Sequence, residues 1–517
     1  MEKAKILWVD DEIEMLKPHV IFLEDKDYNL DTVSNGSDAI HMVEENNYDL
    51  VLLDEMMPGL DGLETLTKIK EIDKTIPVIM VTKNEEEGLM NKAISKQITD
   101  YIIKPINPHQ VLMAIKKILM SEKIRRDRIG EEYTRFSSWL NREIFSAPDL
   151  KKWYEIYSKF VRWDLRLDKL GYEDLLNIHT YERKNTNEEF SEYITENYKN
   201  FIREHQPTMS HDIVEKYLMP QLEKKKPVYF IVLDCLRLDQ LQVIEPYLQE
   251  LFNIKTQHYL SILPTSTPYS RNAIFAGMLP KDIAEKTPQY WKSNSEVEDS
   301  RNRYEHFLID RLLKKHSFRF PKGTKYTKIL DQEEGKFVVK QIPKYENEQL
   351  IILVYNFLDM LLHHRFKDEI LKEMLPNDKA LRSLTDVWFQ NSDLYKAIKK
   401  IAAQGATVVL TTDHGSIKVG HPMKVRTDKE ASYGLRSKHG KNISCKSSHA
   451  YKVKNPQEIG VPSANIVDNF IFAKGDYYFV YPTSYNEYKK KFHGTYQHGG
   501  ISMEEMILPI SILTPKK

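Results

Sequence analysis

Short apolar runs that end in a polar or acidic residue recur along this chain, and they constrain its fold more than any other feature. In the first 120 residues the runs are Ile6–Val9, Leu50–Leu53, Val78–Val81 and Tyr101–Ile103, and amphipathic stretches such as Met15–Leu23 lie between them. Strands that alternate with helical segments of this length favour a parallel sheet with helices on both faces. We therefore predict an α/β fold here, with its chemistry beyond the carboxyl ends of the strands.

Length and composition narrow the class of protein. A chain of 517 residues is too long for one hydrophobic core and predicts roughly three or more compact units. Its 75 basic and 75 acidic residues balance, which argues against a global attraction to nucleic acid or membranes. There are two cysteines and no apolar run near the roughly 18 residues that span a bilayer. We expect a cytoplasmic protein in a reducing setting, without a membrane partner.

Acidic residues collect at the predicted sheet edge of the N-terminal part. Asp10 and Asp11 follow the first run, Asp54 follows the second, Thr82 the third and Lys104 the last. Three carboxylates at one edge repel one another and attract a hard cation, most simply Mg²⁺ held through oxygen ligands. Such a cation can orient a phosphoryl donor toward Asp54.

These residues stand in segments that read VDDE, LLDEMMPGLDG, VTK and YIIKPI. On them, the region from residue 3 to residue 120 resembles the receiver domain of bacterial response regulators, a flavodoxin-like fold. The resemblance implies that Asp54 is the phospho-acceptor and that Asp10 and Asp11 hold Mg²⁺. It also implies that Thr82 and Lys104 contact the phosphoryl group and that Tyr101 is the aromatic switch residue.

The middle of the chain, residues 121–220, has helical periodicity. Trp153, Ile156, Tyr157 and Phe160 recur at spacings of three and four residues, which is typical of one buried stripe per helix. The segment 146–149 reads as a turn and a helix start. We predict a helical bundle that acts as a transmitter or spacer.

From residue 221 to residue 517 the strand pattern returns in VYFIVLD, LIILVYNFLD and ATVVLTTDHG, with FIFAKGDYYFVYP and ILPISILTP as later strands. Near-continuous apolar runs indicate strands that are buried on both faces. Because a polar group again follows each run, a second α/β domain with a metal site at one sheet edge is predicted.

The residue types at these strand ends suit a two-metal phosphoesterase. Asp359 and His363 stand four apart, so one helical turn can aim both at one ion. Asp413 and His414 can point in different directions only from a tight turn. Mixed oxygen and imidazole ligands favour Zn²⁺, with Mn²⁺ a further candidate. Between two such ions a threonine hydroxyl becomes nucleophilic, and Thr267 is the candidate.

This half of the chain resembles the alkaline phosphatase superfamily, and within it the PglZ-type domain. The supporting segments are LDCLR at Asp234, TPYSRNAIFAG from Thr267, the DHG of Asp413 and the QHGG of His498. The resemblance implies one Zn²⁺ on Asp359, His363 and His498, and another on Asp234, Thr267, Asp413 and His414. His364 is a one-residue alternative to His363, and Arg271 matches a basic residue of sulfatases.

A local excess of basic residues lies beside the predicted metals. Residues 418–454 contain ten Lys and Arg residues against two acidic ones, namely Lys418, Lys424, Arg426, Lys429, Arg436, Lys438, Lys441, Lys446, Lys452 and Lys454 against Asp428 and Glu430. A polyanion would be drawn to such a segment, unless it is simply a solvated loop. Arg271, Arg436 and Lys438 are candidates for substrate binding, and Tyr433 and His439 could stack on bases.

The order of receiver, helical middle and PglZ-type domain resembles PorX-type response regulators, a family associated with type IX secretion in Bacteroidetes. That resemblance implies a partner sensor histidine kinase, homodimerisation on phosphorylation, and zinc-dependent phosphodiesterase activity on a cyclic or linear oligonucleotide. In an alternative hypothesis, the C-terminal domain is a catalytically silent module that docks a transcription or sigma factor when Asp54 is phosphorylated.

Overall fold

The computed structural model describes residues 3–83, 98–291, 302–320, 323–365, 369–426, 434–440, 443–445, 448–463 and 469–516. The chain divides into two compact units, Met1–Trp139 and Leu140–Lys517. Across the described ranges, no helix combines the length and the apolar character needed to cross a membrane.

The first unit contains a five-stranded parallel sheet of order β2-β1-β3-β4-β5. Its strands are β1 Lys5–Val9, β2 Asn29–Val33, β3 Leu50–Asp54, β4 Val78–Thr82 and β5 Asp100–Ile103. The helices of this part are α1 Lys17–Glu24, α2 Gly36–Glu45, α3 Gly62–Ile72 and α4 Pro108–Phe145. Helix α4 is long enough that the boundary between the two units falls within it.

Alternation along each strand fills two cores, one on each face of this sheet. On β1, Ile6 and Trp8 enter one cluster, while Leu7 and Val9 enter the other. The prediction of a sheet covered on both faces is therefore confirmed. Strand β2 was absent from the predicted strands because its sequence NLDTV is polar and only Leu30 is buried there, as suits an edge strand.

Helices occupy the middle of the chain. Helix α4 ends at Phe145, and α5 Leu150–Leu170 and α6 Glu173–Glu204 follow. Asp149 caps α5 by accepting a hydrogen bond from the Lys152 amide at 2.8 Å, which confirms the predicted helix start. Trp153 and Phe160 are buried on the predicted stripe. Residues 140–220 lie in the same compact unit as the C-terminal domain, so the division into three domains with boundaries at 120 and 220 stays a prediction.

The second unit is built on a six-stranded sheet of order β7-β18-β10-β6-β9-β8. Its strands are β6 Val228–Leu233, β7 Phe252–Leu260, β8 Lys325–Ile329, β9 Leu350–Tyr355, β10 Thr407–Thr411 and β18 Ile507–Pro515. The four strands β10, β6, β9 and β8 run parallel, and β18 is antiparallel to both β10 and β7. Tyr229 and Ile231 of β6 enter one core, and Val228 and Phe230 enter another on the opposite face.

Helices and three small sheets complete this unit. The helices are α7 Met219–Leu222, α8 Leu238–Leu251, α9 Thr267–Ala276, α10 Pro280–Lys286, α11 Glu305–Lys315, α12 Gln332–Gln341, α13 Phe357–Arg365, α14 Glu369–Met374, α15 Asp378–Asn391, α16 Asp393–Ala403, α17 Tyr485–Phe492 and α18 Met503–Met506. The remaining strands are β11 Ile417–Lys418, β12 His421–Lys424, β13 Ser437–Gly440, β14 Ala450–Val453, β15 Asn469–Ala473, β16 Tyr477–Val480 and β17 Tyr496–Gln497.

Candidate metal centres

In the first unit, Asp10, Asp11 and Asp54 converge beyond the ends of β1 and β3. Each offers a carboxylate oxygen within 4.8 Å of the others, a spacing at which one cation can bind all three. The Lys104 ammonium lies 3.0 Å from Asp10 Oδ2 and 2.9 Å from Asp54 Oδ1. The protein thus supplies one positive charge to a group of three acids.

The charge balance at this edge affects Asp54, the predicted phospho-acceptor. Burial raises the pKa of Asp54 to about 6, because the attraction of Lys104 does not offset burial and the repulsion from Asp10 and Asp11. The Thr82 hydroxyl donates to the Glu55 carboxylate, and the Tyr101 side chain is partly exposed on β5. All six receiver residues predicted from sequence therefore lie on the described strands or directly after them.

In the second unit, the polar residues at the strand ends form two groups of potential ligands. The first contains Asp359, His363 and His498, and the second contains Asp234, Asp413 and His414. Asp359 and His363 lie on α13, which follows β9, whereas Asp234 follows β6 and the Asp413–His414 pair follows β10. The parallel strands β6, β9 and β10 therefore bring together residues that are up to 179 positions apart in the sequence, as between Asp234 and Asp413, and His498 joins them from the loop after β17.

The atoms of the first group are spaced as ligands of one small cation. His363 Nε2 lies 3.4 Å from Asp359 Oδ1 and 3.3 Å from His498 Nε2, and His498 Nε2 lies 3.6 Å from Asp359 Oδ1. Tetrahedral Zn²⁺ with bonds of about 2.0–2.1 Å separates neighbouring ligand atoms by roughly 3.4 Å. The donor set and its spacing therefore fit zinc.

The second group surrounds the Thr267 hydroxyl. Thr267 Oγ1 lies 3.0 Å from His414 Nε2 and 3.4 Å from Asp234 Oδ1, and His414 Nε2 lies 3.5 Å from Asp234 Oδ1. Asp413 Oδ2 is 3.9 Å from the same imidazole nitrogen. Thr267 is the first residue of α9, so the positive end of the helix dipole lies at its hydroxyl.

The two groups adjoin one another. The His414 and His498 rings stack with their centroids 4.2 Å apart, one ring from each group. The exposure is uneven, since the His363 side chain is 44% exposed and His414 is fully buried. The site therefore opens to solvent on the His363 side, and Thr267 lies deeper.

Buried carboxylate oxygens at this site lack partners that a cation would supply. Asp359 Oδ1 and Asp413 Oδ2 are buried and accept no hydrogen bond from any described residue. Burial and the neighbouring Asp234 carboxylate raise the pKa of Asp413 well above its ordinary value. The pKa of Asp359 is held well below its ordinary range. Burial alone would raise this pKa, but the attraction of His363 and the other nearby histidines outweighs the effect of burial. These residues fit a site for two divalent cations.

Arg271, a candidate for substrate binding, lies on the buried side of the second group and not on its solvent side. Its guanidinium is fully buried, and its Nη1 lies 2.5 Å from Asp234 Oδ2 and 3.7 Å from Asp413 Oδ2. Its Nε donates to Glu305 at 2.7 Å. In this position Arg271 orients two ligand carboxylates and partly neutralises them.

The other two substrate candidates are also buried, and their placement does not support a role in substrate contact. Arg436 is fully buried and binds the Glu505 carboxylate through Nη2 at 2.5 Å. Lys438 is 1% exposed and donates to the Tyr481 hydroxyl at 2.9 Å. Burial lowers the pKa of Lys438 to about 8. Sequence cannot separate such residues from surface cations, because burial is decided by the strands β13 and β15 that enclose them.

The basic segment is therefore not one continuous solvated loop, since its described part contains β11, β12, β13 and β14. His439 stacks on Phe470 with ring centroids 4.8 Å apart. Tyr433, the side chain of His364 and the charged residues Asp428, Lys429, Glu430, Lys441 and Lys446 lie outside the described residues.

Sequence reasoning missed several polar residues that support the ligands. Asn356 Nδ2 donates to Asp234 Oδ2 at 2.9 Å, and Asn302 Nδ2 donates to the Thr267 carbonyl at 3.2 Å. Glu305 pairs with Arg271 at 2.7 Å. The position of Asn356, directly after β9, was a usable signal, because polar residues at strand ends had already located the ligands. Asn302 and Glu305 follow no strand and had no such signal.

Comparison with known families agrees with this geometry. Residues 213–512, more than half of the chain, match the BREX system PglZ alkaline phosphatase-like domain. The chain belongs to the PglZ alkaline phosphatase-like family. Residues 6–116 match the response regulator receiver domain, and residues 123–202 match the PorX response regulator linker domain. Together the three matches are those of a PorX-type response regulator, and domains of the receiver and alkaline phosphatase-like families generally bind divalent metals.

Two transcriptional regulatory proteins are similar to part of this PglZ-family chain. The transcriptional regulatory protein ResD of Bacillus subtilis is 41% identical over 117 residues, which are 23% of this chain and 48% of ResD. SrrA of Staphylococcus aureus is 36% identical over 115 residues, 22% of this chain and 47% of SrrA. The chain thus spans about half the length of the curated relatives it matches. A CheY-like receiver structure from Methanospirillum hungatei is 26% identical and covers 24% of this chain and 98% of its own, with a TM-score of 0.23.

Proposed function

We propose that this PglZ-family response regulator is a zinc-dependent phosphodiesterase whose activity is set by phosphorylation of Asp54. The observation that carries the proposal is a ligand group around the Thr267 hydroxyl that adjoins a second ligand group, with His414 and His498, one from each group, stacked 4.2 Å apart. A site that served docking alone would need neither a buried hydroxyl beside acids nor buried carboxylate oxygens that accept no hydrogen bond.

In this proposal, Asp359, His363 and His498 hold one Zn²⁺, while Asp234, Asp413, His414 and the Thr267 hydroxyl hold the other. When bound, the two ions supply positive charge that favours the Thr267 alkoxide and stabilises the attacking and leaving oxygens of a phosphoester. Two successive displacements at phosphorus predict retention of its configuration.

Other residues of the chain position Thr267 and its neighbouring ligands. The N-terminus of α9 stabilises negative charge on the Thr267 oxygen, and Asn302 holds the Thr267 carbonyl. Arg271 and Asn356 fix both the charge and the orientation of Asp234. His414 Nδ1 lies 3.1 Å from the Gly415 carbonyl, so the Nδ1 proton is held there and Nε2 faces Thr267 with its lone pair.

The substrate that we propose is a cyclic or linear oligonucleotide. Basic residues between the DHG and QHGG motifs support this, among them the exposed Lys452 of β14 and Lys454 directly after it. Receiver domains pair with sensor histidine kinases and dimerise, and we extend both properties to this chain, with regulation of type IX secretion as the proposed output.

The test is hydrolysis of bis-p-nitrophenyl phosphate, the matching monoester and short oligonucleotides by the full chain with measured zinc content. We expect Thr267→Val, which keeps the shape but removes the hydroxyl, to lose at least about a thousandfold in kcat/KM while keeping its zinc. Thr267→Ser keeps the hydroxyl and should retain measurable turnover. If wild type and Thr267→Val hydrolyse every ester at the same low rate with zinc bound, the hydrolase proposal fails and phosphorylation-dependent docking to a transcription or sigma factor replaces it.

A further inference from the structure

Helix α6 places polar side chains on the backbone of the two loops that carry Thr267 and His498. The Tyr198 hydroxyl accepts a hydrogen bond from the Leu263 amide at 2.7 Å, four residues before Thr267. Ser191 Oγ lies 3.1 Å from the Ile501 carbonyl and 2.7 Å from the Asn187 carbonyl of its own helix, so its one proton is shared between them. Asn187 Oδ1 accepts from the Met503 amide at 2.8 Å. One helix therefore holds both loops.

The same helix also fixes Glu504, which is 4% exposed. Arg183 Nε lies 2.7 Å and Asn187 Nδ2 lies 2.9 Å from the two oxygens of this carboxylate. The Glu504 carbonyl approaches Gly415 so closely that a Cβ there would lie 2.0 Å from it. Glu504 thereby ties α6 to the turn that presents Asp413 and His414.

The two loops are joined to each other directly. Thr265 Oγ1 donates to the Gly500 carbonyl at 2.9 Å and accepts from the Gly499 amide at 3.0 Å. His498 Nδ1 lies 3.3 Å from the Thr265 carbonyl. Because the ring nitrogen that faces Asp359 is the opposite one, this contact sets the direction in which His498 Nε2 points.

Helix α6 is also held by a buried ionic network. Arg183 and His179 both bind Asp164 of α5, the histidine at 2.9 Å. Arg382 of α15 binds Asp168 of α5 at 2.7 Å and Asp239 of α8 at 2.9 Å. Breaking a buried pair by removing one partner is strongly unfavourable, so α5 and α6 are fixed to the catalytic unit and do not pack loosely on it.

We propose that α6 is a positioning element of the metal centre, and that Asn187, Ser191 and Tyr198 are its positioning residues. The inference rests on the proposed function, since it assigns the control of that same site. Residues 123–202 match the PorX linker domain, so the linker helps to build the site in addition to connecting two domains. A shift of α6 would move the Thr267 loop, the His498 loop and the Asp413–His414 turn together.

The test compares two variants of the full chain with two controls on the same helix. Tyr198→Phe, which is nearly isosteric, removes the acceptor of the Leu263 amide, and Asn187→Ala removes both the acceptor of the Met503 amide and a donor to Glu504. Asn177→Ala and Tyr181→Phe make the same chemical changes at exposed positions of α6. Three quantities are measured: zinc affinity by competition with a chromophoric chelator, amide exchange of residues 261–268 and 496–503 in zinc-free protein, and kcat and KM with bis-p-nitrophenyl phosphate.

We expect the two loop-contact variants to bind one zinc ion at least tenfold more weakly and to exchange faster in both segments. Their kcat should fall at least tenfold with a smaller change in KM, while the controls match wild type. Zinc affinity and exchange rates equal to those of the controls, in folded protein, would overturn the inference. If Asn187→Ala does not fold, Tyr198→Phe decides the matter alone. If the wild type hydrolyses no ester, the proposed function fails, but zinc affinity and exchange still decide this inference.

Discussion

The chain contains two acidic sites at the carboxyl ends of parallel strands, and they differ in how their charge is balanced. At the receiver site, Lys104 lies within 3.0 Å of both Asp10 and Asp54, and all the ligand candidates are oxygens. At the C-terminal site, the buried Arg271 guanidinium pairs with Asp234, and each ligand group contains both imidazole and carboxylate side chains. Similar backbone geometry thus presents one set of donors that suits a hard cation and one that suits zinc, because the donor atoms differ.

The difference extends to accessibility. Asp11, one of the three receiver acids, is exposed, so a phosphoryl donor and a hydrated Mg²⁺ can approach the site. The Asp234, Asp413 and His414 side chains are at most 1% exposed, and solvent reaches the site beside His363. The first arrangement suits a reversible switch, and the second suits ions that stay bound.

The strongest test of this comparison removes one ligand from each site. Asp413→Asn should lower zinc affinity by more than about 100-fold and abolish diester hydrolysis, yet leave Mg²⁺-dependent labelling of Asp54 by acetyl phosphate unchanged. Asp11→Asn should do the reverse, with full zinc content and no labelling. Zinc content, labelling and hydrolysis are measured on the same samples. Loss of zinc in Asp11→Asn would break the assignment of the two cations.

The next test compares the two protein cations that balance the acids. Arg271→Met leaves Asp234 and Glu305 buried without their partner, and should lower the free energy of unfolding by about 3–5 kcal/mol. Lys104→Met removes a side chain that is 12% exposed, and should cost less than half as much. Urea unfolding of the two zinc-free variants measures both values.

Excess zinc sharpens this second test. If zinc binds the folded site as proposed, it should restore part of the stability that Arg271→Met loses and none of that lost in Lys104→Met. Equal losses in the two variants, or equal rescue by zinc, would contradict the proposed difference in charge balance.

The sequence predicted those features of the fold and of the site that depend on residues close together along the chain. The strand ends located Asp54, Asp234, Asp359 and Asp413, because an apolar run and the polar residue after it are neighbours in sequence. The stacking of His414 on His498 was not predictable, since it depends on where β17 and the loop after it return.

The burial of charged and polar residues was the second feature that the sequence could not predict. Arg436 and Lys438 occur in a basic segment and looked like surface cations, but β13 and the adjoining strand β15 place both in the interior. Asn187 and Tyr198 gave no signal either, since polar and aromatic residues on a long amphipathic helix are ordinary. Their role depends on backbone amides that are more than 60 residues away.

The smallest expected effect concerns pH at the receiver site. Burial raises the pKa of Asp54 to about 6, so below pH 6 a proton competes with Mg²⁺ for this carboxylate. We expect Mg²⁺ affinity, followed by the fluorescence of Trp8 on β1, to fall up to about tenfold per pH unit below 6. Asp54→Asn should remove this dependence. A wild-type affinity that is constant between pH 5 and 7 would contradict the raised pKa.

The same shift has a defined sign for stability. The folded receiver binds this proton more tightly than the unfolded chain, whose carboxyl has a pKa near 3.8. The stabilising contribution of the protonated Asp54 is therefore complete below about pH 4 and is lost as the pH rises through 6.

The most direct test of the account is anomalous diffraction at the zinc edge from crystals of the full chain grown with both Zn²⁺ and Mg²⁺. The account predicts two zinc peaks, one among Asp359, His363 and His498 and one among Asp234, Asp413 and His414, and no zinc among Asp10, Asp11 and Asp54. Zinc at the receiver acids, with none at the histidine-containing groups, would contradict the claim that donor chemistry separates the two sites.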